Sequence, residues 1–130
     1  SIVMIEKMPK TILVVDDSKA ILSIIRTVLD VAGYEVLTAS DGVEGLSLLK
    51  SGRQVDIIVT DLNMPNMDGI EFIWEIRKLP DHVFTPICML TTETEQSKLV
   101  DGESISIDAW IKKPIQPVHV LNIVSKIVPP

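Results

Sequence analysis

Two hydrophobic patterns alternate along this chain. Short uninterrupted apolar runs, TILVVD (11–16), VDIIVT (55–60) and PICMLT (86–91), have the length and density of strands buried on both faces. Between them, apolar residues return at helical offsets. Ile21, Leu22, Ile24, Ile25, Val28, Leu29 and Ala32 predict a helix over 18–32, capped by Asp17 or Ser18 and stopped at Gly33. A strand over 34–39 follows. After Asp41 comes a short helix with Val43, Leu46, Leu48 and Leu49, ending near Gly52. The loop LNMPNMDG (62–69) is rich in turn formers. It leads into a helix over 69–78 with Ile70, Ile73, Trp74 and Ile76 on or near its buried side. A polar stretch to about 104 follows TTE, then a fifth strand, DAWIK (108–112). A last helix over 117–127 turns Val120, Leu121, Val124 and Ile127 inward. Five βα units predict an α/β fold, a doubly wound parallel sheet with right-handed crossovers and helices on both faces. The functional edge of such a sheet is the carboxyl ends of its strands.

At 130 residues the chain fits one domain with a real core. A hydrophobic content of 46% against 23% charged residues excludes a disordered chain. The net charge of −6 argues against direct nucleic-acid binding and is compatible with a partner bearing a basic patch. A single cysteine, Cys88, rules out an intrachain disulfide and reads as a small core residue. No apolar run is long enough to span a membrane, and residues 1–9 lack a signal-peptide layout. We read 1–9 as a leader or expression remnant, and the protein as cytoplasmic.

The chemistry gathers where strands end. The first strand stops at Asp16 and Asp17 and the third at Asp61, so one parallel sheet brings three carboxylates to one edge. Their mutual repulsion calls for a cation, and oxygen ligands with room for water suit Mg²⁺. Asp61 is the candidate nucleophile, able to form an acyl phosphate. Asp16 and Asp17 are candidate metal ligands, joined by Asp61 and a loop carbonyl near Asn63. Lys113, after the fifth strand, can pair with a phosphoryl oxygen, while its neighbour Lys112 points the other way. Thr91 ends the fourth strand with a hydroxyl at the same edge, and Thr92 or Thr94 serves as a helix cap before Glu93 and Glu95. Each of these residues also has an ordinary reading: a cap for Asp17, a surface cation for Lys113, core packing for Trp110. His82 and His119 read as surface residues. A Gly-rich phosphate loop and a Ser-His-Asp arrangement are both lacking.

Asp16-Asp17, VTDLNMPNMDG (59–69), MLTTE (89–93) and KKP (112–114), in this order, resemble the receiver domain of two-component response regulators. The resemblance covers about residues 10–128 and is most like the stand-alone chemotaxis regulators. It implies a flavodoxin-like (βα)5 fold with strand order 2-1-3-4-5, and a single receiver domain over 10–130 without an output domain. It implies Asp61 as acceptor of a phosphoryl group from a sensor histidine kinase or phosphotransfer domain. Asp16, Asp17, Asp61 and the Asn63 backbone carbonyl would bind Mg²⁺. Thr91 and Lys113 would contact the phosphoryl group, and a cis bond before Pro114 would aim Lys113. Thr91 and Trp110 would form the switch, and Asn63 and Glu93 would tune autodephosphorylation toward a short-lived phosphoryl group. The output surface would be the face of the fourth helix, fifth strand and last helix, in a monomer or weak dimer that turns over no exogenous substrate.

Three positions depart from the family pattern. Thr92 replaces a small residue, Trp110 a tyrosine or phenylalanine, and Ser106-Ile107 a Gly-Ala pair. The weakly amphipathic stretch 94–105, with Gly102, predicts a short or mobile fourth helix. Two other classes compete with the switch: a receiver-like adaptor without phosphate, and an aspartyl phosphatase. The latter needs a second acid, and Asn63 stands where it belongs.

Overall fold

The computed structural model describes residues 8–100 and 106–130. Five parallel strands, β1 (Thr11–Val15), β2 (Glu35–Ala39), β3 (Ile57–Asp61), β4 (Ile87–Thr91) and β5 (Ala109–Lys112), pair in the order β2-β1-β3-β4-β5. Five helices alternate with them: α1 (Lys19–Val31), α2 (Gly42–Lys50), α3 (Gly69–Arg77), α4 (Glu93–Val100) and α5 (Pro117–Ile127). This is the doubly wound, flavodoxin-like fold the sequence predicts. The leader reading of 1–9 falls mostly outside the described residues. The fourth helix is described as far as Val100, and the expectation that it is short or mobile falls partly on 101–105, which also lie outside the described residues.

The sheet separates two cores. On one face Ile12, Val14, Ile57, Val59, Cys88, Leu90 and Ile111 pack under α1 and α5, with Ile25, Leu29, Val120 and Val124. On the other, Leu13, Val15, Ile58, Ile87 and Met89 pack under α2 and α3, with Leu46, Leu49, Phe72, Ile73 and Ile76. Both faces of the central strands are therefore apolar, which is why the runs do not alternate. Cys88 is fully buried.

Local signals set the helix ends. Ser18 caps α1 by accepting from the Ile21 amide at 3.3 Å, and Asp41 and Asp68 cap α2 and α3 likewise. Gly33, at φ 101°, closes α1 while the Tyr34 N–H returns to the Leu29 carbonyl at 3.1 Å. Tyr34 then donates its hydroxyl to the Val128 carbonyl at 2.6 Å, tying the end of α1 to the end of α5.

Two expectations are corrected. Trp74, expected on or near the buried side of α3, is half exposed: Phe72, Ile73 and Ile76 fill the contact, and 74 falls outside that arc. His82, expected at the surface, is buried. A 3₁₀ turn, Pro80–His82, turns the ring inward, where Nδ1 lies 2.9 Å from Thr85 Oγ1. Arg77 donates to the His82 and Thr85 carbonyls, at 3.0 and 2.7 Å. Burial holds His82 below its ordinary pKa, with the Asp81 charge opposing and the Arg77 guanidinium reinforcing. The folded state thus binds fewer protons than the unfolded chain below about 6.5. The His82 contribution to stability should therefore shrink as pH drops from 7 to 5, and the difference between wild type and His82→Gln in urea titrations at each pH should read that change.

Candidate acceptor site at the carboxyl edge of the sheet

Strand parity builds the site. Val14 of β1 pairs with Val59 of β3, and Val15 with Thr60, so the next residues, Asp16 and Asp61, stand side by side. Both continue the column that faces α1 and α5, the column that on β5 runs Ala109, Ile111 and then Lys113. Period-2 alternation thus delivers two acids and one base to the same side of the same edge. Lys112, one residue earlier, is turned away and lies 3.8 Å from Glu93.

Asp16, Asp17 and Asp61 each offer a carboxylate oxygen within 4.8 Å of one another. Asp16 and Asp61 are buried and Asp17 is exposed. Asp61 Oδ1 accepts from the Lys113 ammonium at 2.6 Å and from the Leu62 amide at 2.8 Å. Asp16 Oδ1 accepts from the Ser18 amide at 2.8 Å. Burial pushes the Asp16 pKa up to about 6, with the Ser18 amide working against it and the neighbouring Asp61 adding to it. Burial would lower the Lys113 pKa, but the hydrogen bond and charge of Asp61, with the charges of Asp16 and Glu95, hold it above its ordinary value. Three crowded oxygen donors, one paying a protonation cost for its position, fit a hard divalent cation such as Mg²⁺.

The Lys113–Pro114 bond is cis, and the Lys113 amide donates to the Thr91 carbonyl at 3.0 Å. Thr91 is fully buried at the same edge, but its hydroxyl donates to the Thr92 carbonyl at 3.1 Å and not to Asp61. Trp110 is half buried against the core under α2 and α3 and is paired in register with Met89. Thr92 is the cap of α4: its Oγ1 accepts from the Glu95 amide at 3.2 Å. His119 is exposed, as expected, in the first turn of α5.

Asn63 is exposed in the loop after β3, and its side-chain amide donates to Glu95. Glu93 is exposed and its pairing is with Lys112, so Glu95 is the carboxylate that reaches Asn63. From sequence Glu95 is named only beside the cap of the helix and not at the site, although the Thr92-x-x-Glu95 capping-box spacing turns the acid back toward the preceding loop. Asn66 was missed too. It adopts φ 67° and donates to Asp41 at 2.7 Å, pinning the β3–α3 loop to the start of α2. An asparagine between Pro65 and Gly69 was the available signal, since asparagine tolerates that conformation.

Gly69 completes the frame. Its amide donates to the Leu62 carbonyl at 2.7 Å. A Cβ there would stand 2.6 Å from the Asp61 carbonyl oxygen and 2.9 Å from the Leu62 Cα. Backbone cannot swing aside as a side chain can, so Gly69→Ala should cost about 1–3 kcal/mol. A lower urea midpoint at unchanged slope is the check.

A doubly wound sheet carrying an acidic triad and a strand-end lysine at its carboxyl edge defines a receiver. Residues 12–125 match the response regulator receiver domain model, and the chain belongs to that family. It is 36% identical over 107 residues to a chemotaxis protein CheY homolog of Campylobacter jejuni, covering 82% of each chain. It is 38% identical over 110 residues to the alkaline phosphatase synthesis transcriptional regulatory protein PhoP of Bacillus subtilis, covering 85% of this chain and 45% of that one. The chain thus spans less than half the length of that regulator. Its fold matches the chemotaxis response regulator CheY4 of Vibrio cholerae with a TM-score of 0.85 at 38% identity, over 93% of this chain and 100% of that one. The protein is a receiver, a signalling switch domain, and is similar to chemotaxis regulators over most of its length. Among the described residues no helix is long and apolar enough to cross a membrane.

Proposed function

We propose that Asp61 accepts a phosphoryl group from the phosphohistidine of a sensor histidine kinase or phosphotransfer domain. The observation that carries this reading is the partly buried Lys113–Asp61 contact of 2.6 Å beside the Asp16 and Asp17 carboxylates. Both hydrogen bonds to the Asp61 carboxylate among the described residues fall on Oδ1, leaving Oδ2 free to attack. The new P–O bond forms as the P–N bond breaks. The imidazole nitrogen leaves with the bonding pair and takes a proton from solvent, and Asp61 becomes an acyl phosphate. Asp16, Asp17, Asp61 and the Asn63 carbonyl would hold Mg²⁺, which when bound neutralises charge on the phosphoryl oxygens. Lys113 moves from Asp61 onto a phosphoryl oxygen.

Thr91 exchanges its bond to the Thr92 carbonyl for the phosphoryl group. Space beside it then admits Trp110, and the face of α4, β5 and α5 changes. Asn63 and Glu93 tune the return reaction toward a short-lived state. Likeness to the Campylobacter and Vibrio proteins supports a chemotaxis regulator, which we read as cytoplasmic, monomeric or weakly dimeric, and acting on a downstream protein and not on nucleic acid. The longer PhoP supports a second reading, the receiver portion of a larger regulator.

Acetyl phosphate with Mg²⁺ should add one phosphoryl group to the intact protein by mass spectrometry. Asp61→Asn should add none, nor should wild type in EDTA. A wild type that never labels would return the chain to the phosphate-independent adaptor. Turnover of an exogenous phosphate ester dependent on Asp61 would make it a phosphatase.

A further inference from the structure

Glu95 stands between the acceptor loop and the first turn of α4, and both of its oxygens are engaged. Oε1 accepts from the Thr92 amide at 2.9 Å, while the Glu95 amide donates to Thr92 Oγ1 at 3.2 Å, a reciprocal capping box. Oε2 accepts from the Asn63 side-chain amide. One side chain thus ties the loop that follows the acceptor strand to the start of α4. Its charge also reaches the acceptor, since Lys113, bonded to Asp61, is held cationic partly by Glu95.

We infer that Glu95 is a charge-operated latch between Asp61 and α4. The inference rests on the phosphoryl reading of Asp61. Before phosphorylation, Lys113 screens Glu95 from Asp61 and both ends of the latch hold. A phosphoryl group brings close to two further negative charges and draws Lys113 onto its own oxygens. Glu95 then faces an anion without its screen. Each contact holding it is a single hydrogen bond at the protein surface, so repulsion parts Glu95 from Asn63 and from Thr92 together. The first turn of α4 loses its cap, and Asn63 is freed over the pocket. The switch thereby gains a second route to α4, distinct from the inward movement of Trp110.

A cap alone would need the shape of the side chain, whereas a latch needs its charge. Glu95→Gln separates the two, because its amide oxygen still accepts from Thr92 and its amide group can pair with the side-chain oxygen of Asn63 once that amide turns over. Amide exchange of Gln96, whose N–H donates to the Thr92 carbonyl at 3.0 Å, reports the first turn. It is followed with and without acetyl phosphate and Mg²⁺. In wild type, protection at Gln96 should fall several-fold on labelling. Glu95→Gln should stay protected in both states, and Glu95→Ala should be unprotected in both. Labelling by the anionic acetyl phosphate should be about 3–10-fold faster in Glu95→Gln at low salt, with the gap closing at high salt. Equal loss of protection in wild type and Glu95→Gln would reduce Glu95 to a cap and overturn the latch alone. A wild type that takes no phosphoryl group would overturn the latch together with the reading beneath it.

Discussion

Replacing Lys113 with methionine is expected to lower stability by roughly 3–5 kcal/mol in metal-free buffer, and to abolish labelling by acetyl phosphate. The side chain of Asp61 is 4% exposed and that of Lys113 30%, so the pair is largely out of water. Asp61 also lies beside the buried Asp16. Without the ammonium, the Asp61 carboxylate keeps the Leu62 amide and loses its only counter-charge among the described residues. An uncompensated buried anion next to another acid is the costly arrangement, more so than the absence of both partners. Asp61→Asn placed on top of Lys113→Met should therefore restore most of the loss. Urea unfolding of the four proteins in EDTA closes the cycle. A single Lys113→Met variant within about 1 kcal/mol of wild type would mean that the contact is a solvated surface pair. Methionine keeps the apolar stem of lysine, so the loss would report the charge and not the packing.

That contact shows which parts of the molecule were legible in the sequence. All five strands and their neighbours were: double-faced burial leaves continuous apolar runs in β1, β3 and β4, and helical periodicity marks the segments between strands. Asp16, Asp61 and Lys113 were legible too: each stands at or just past the carboxyl end of a strand, and chain parity fixes its side. The misses have another origin. His82 and Trp74 were decided by tertiary context, one turned in by a 3₁₀ turn and the other left outside an arc that Phe72, Ile73 and Ile76 already filled. Glu95 and Asn66 act through hydrogen bonds spanning 32 and 25 residues. Local pattern carries no distance information of that kind. The direction of the Thr91 hydroxyl was not legible either, since a threonine at a strand end has an acceptor in its own neighbouring backbone as well as across the edge.

Asp16→Asn should have the opposite effect on stability from Lys113→Met, although both residues line one site. Asp16 is 2% exposed, and its pKa rises from the ordinary 3.8 to about 6. Burial is the main cause, and Asp61 adds to it. The folded state therefore binds this proton more tightly than the unfolded chain does. The contribution of Asp16 to stability is present below about pH 4 and is lost as pH rises through about 6. At about 1.4 kcal/mol for each tenfold change in binding constant, the loss is on the order of 3 kcal/mol. Asparagine keeps an oxygen for the Ser18 amide and carries no charge to bury. In EDTA the variant should match wild type near pH 4 and exceed it by roughly that amount near pH 7.5. Adding Mg²⁺ should stabilise wild type, by an amount set by concentration over Kd, and should stabilise Asp16→Asn far less. Wild type would then approach the variant as the metal is titrated in. A variant no more stable than wild type in EDTA at pH 7.5 would show that Asp16 carries no strain for a metal to relieve. A variant that still gained the full Mg²⁺ effect would place the cation elsewhere. The expected convergence of the two proteins as Mg²⁺ is added is the thermodynamic signature of a site whose acids are held together against their own repulsion for a cation to bridge.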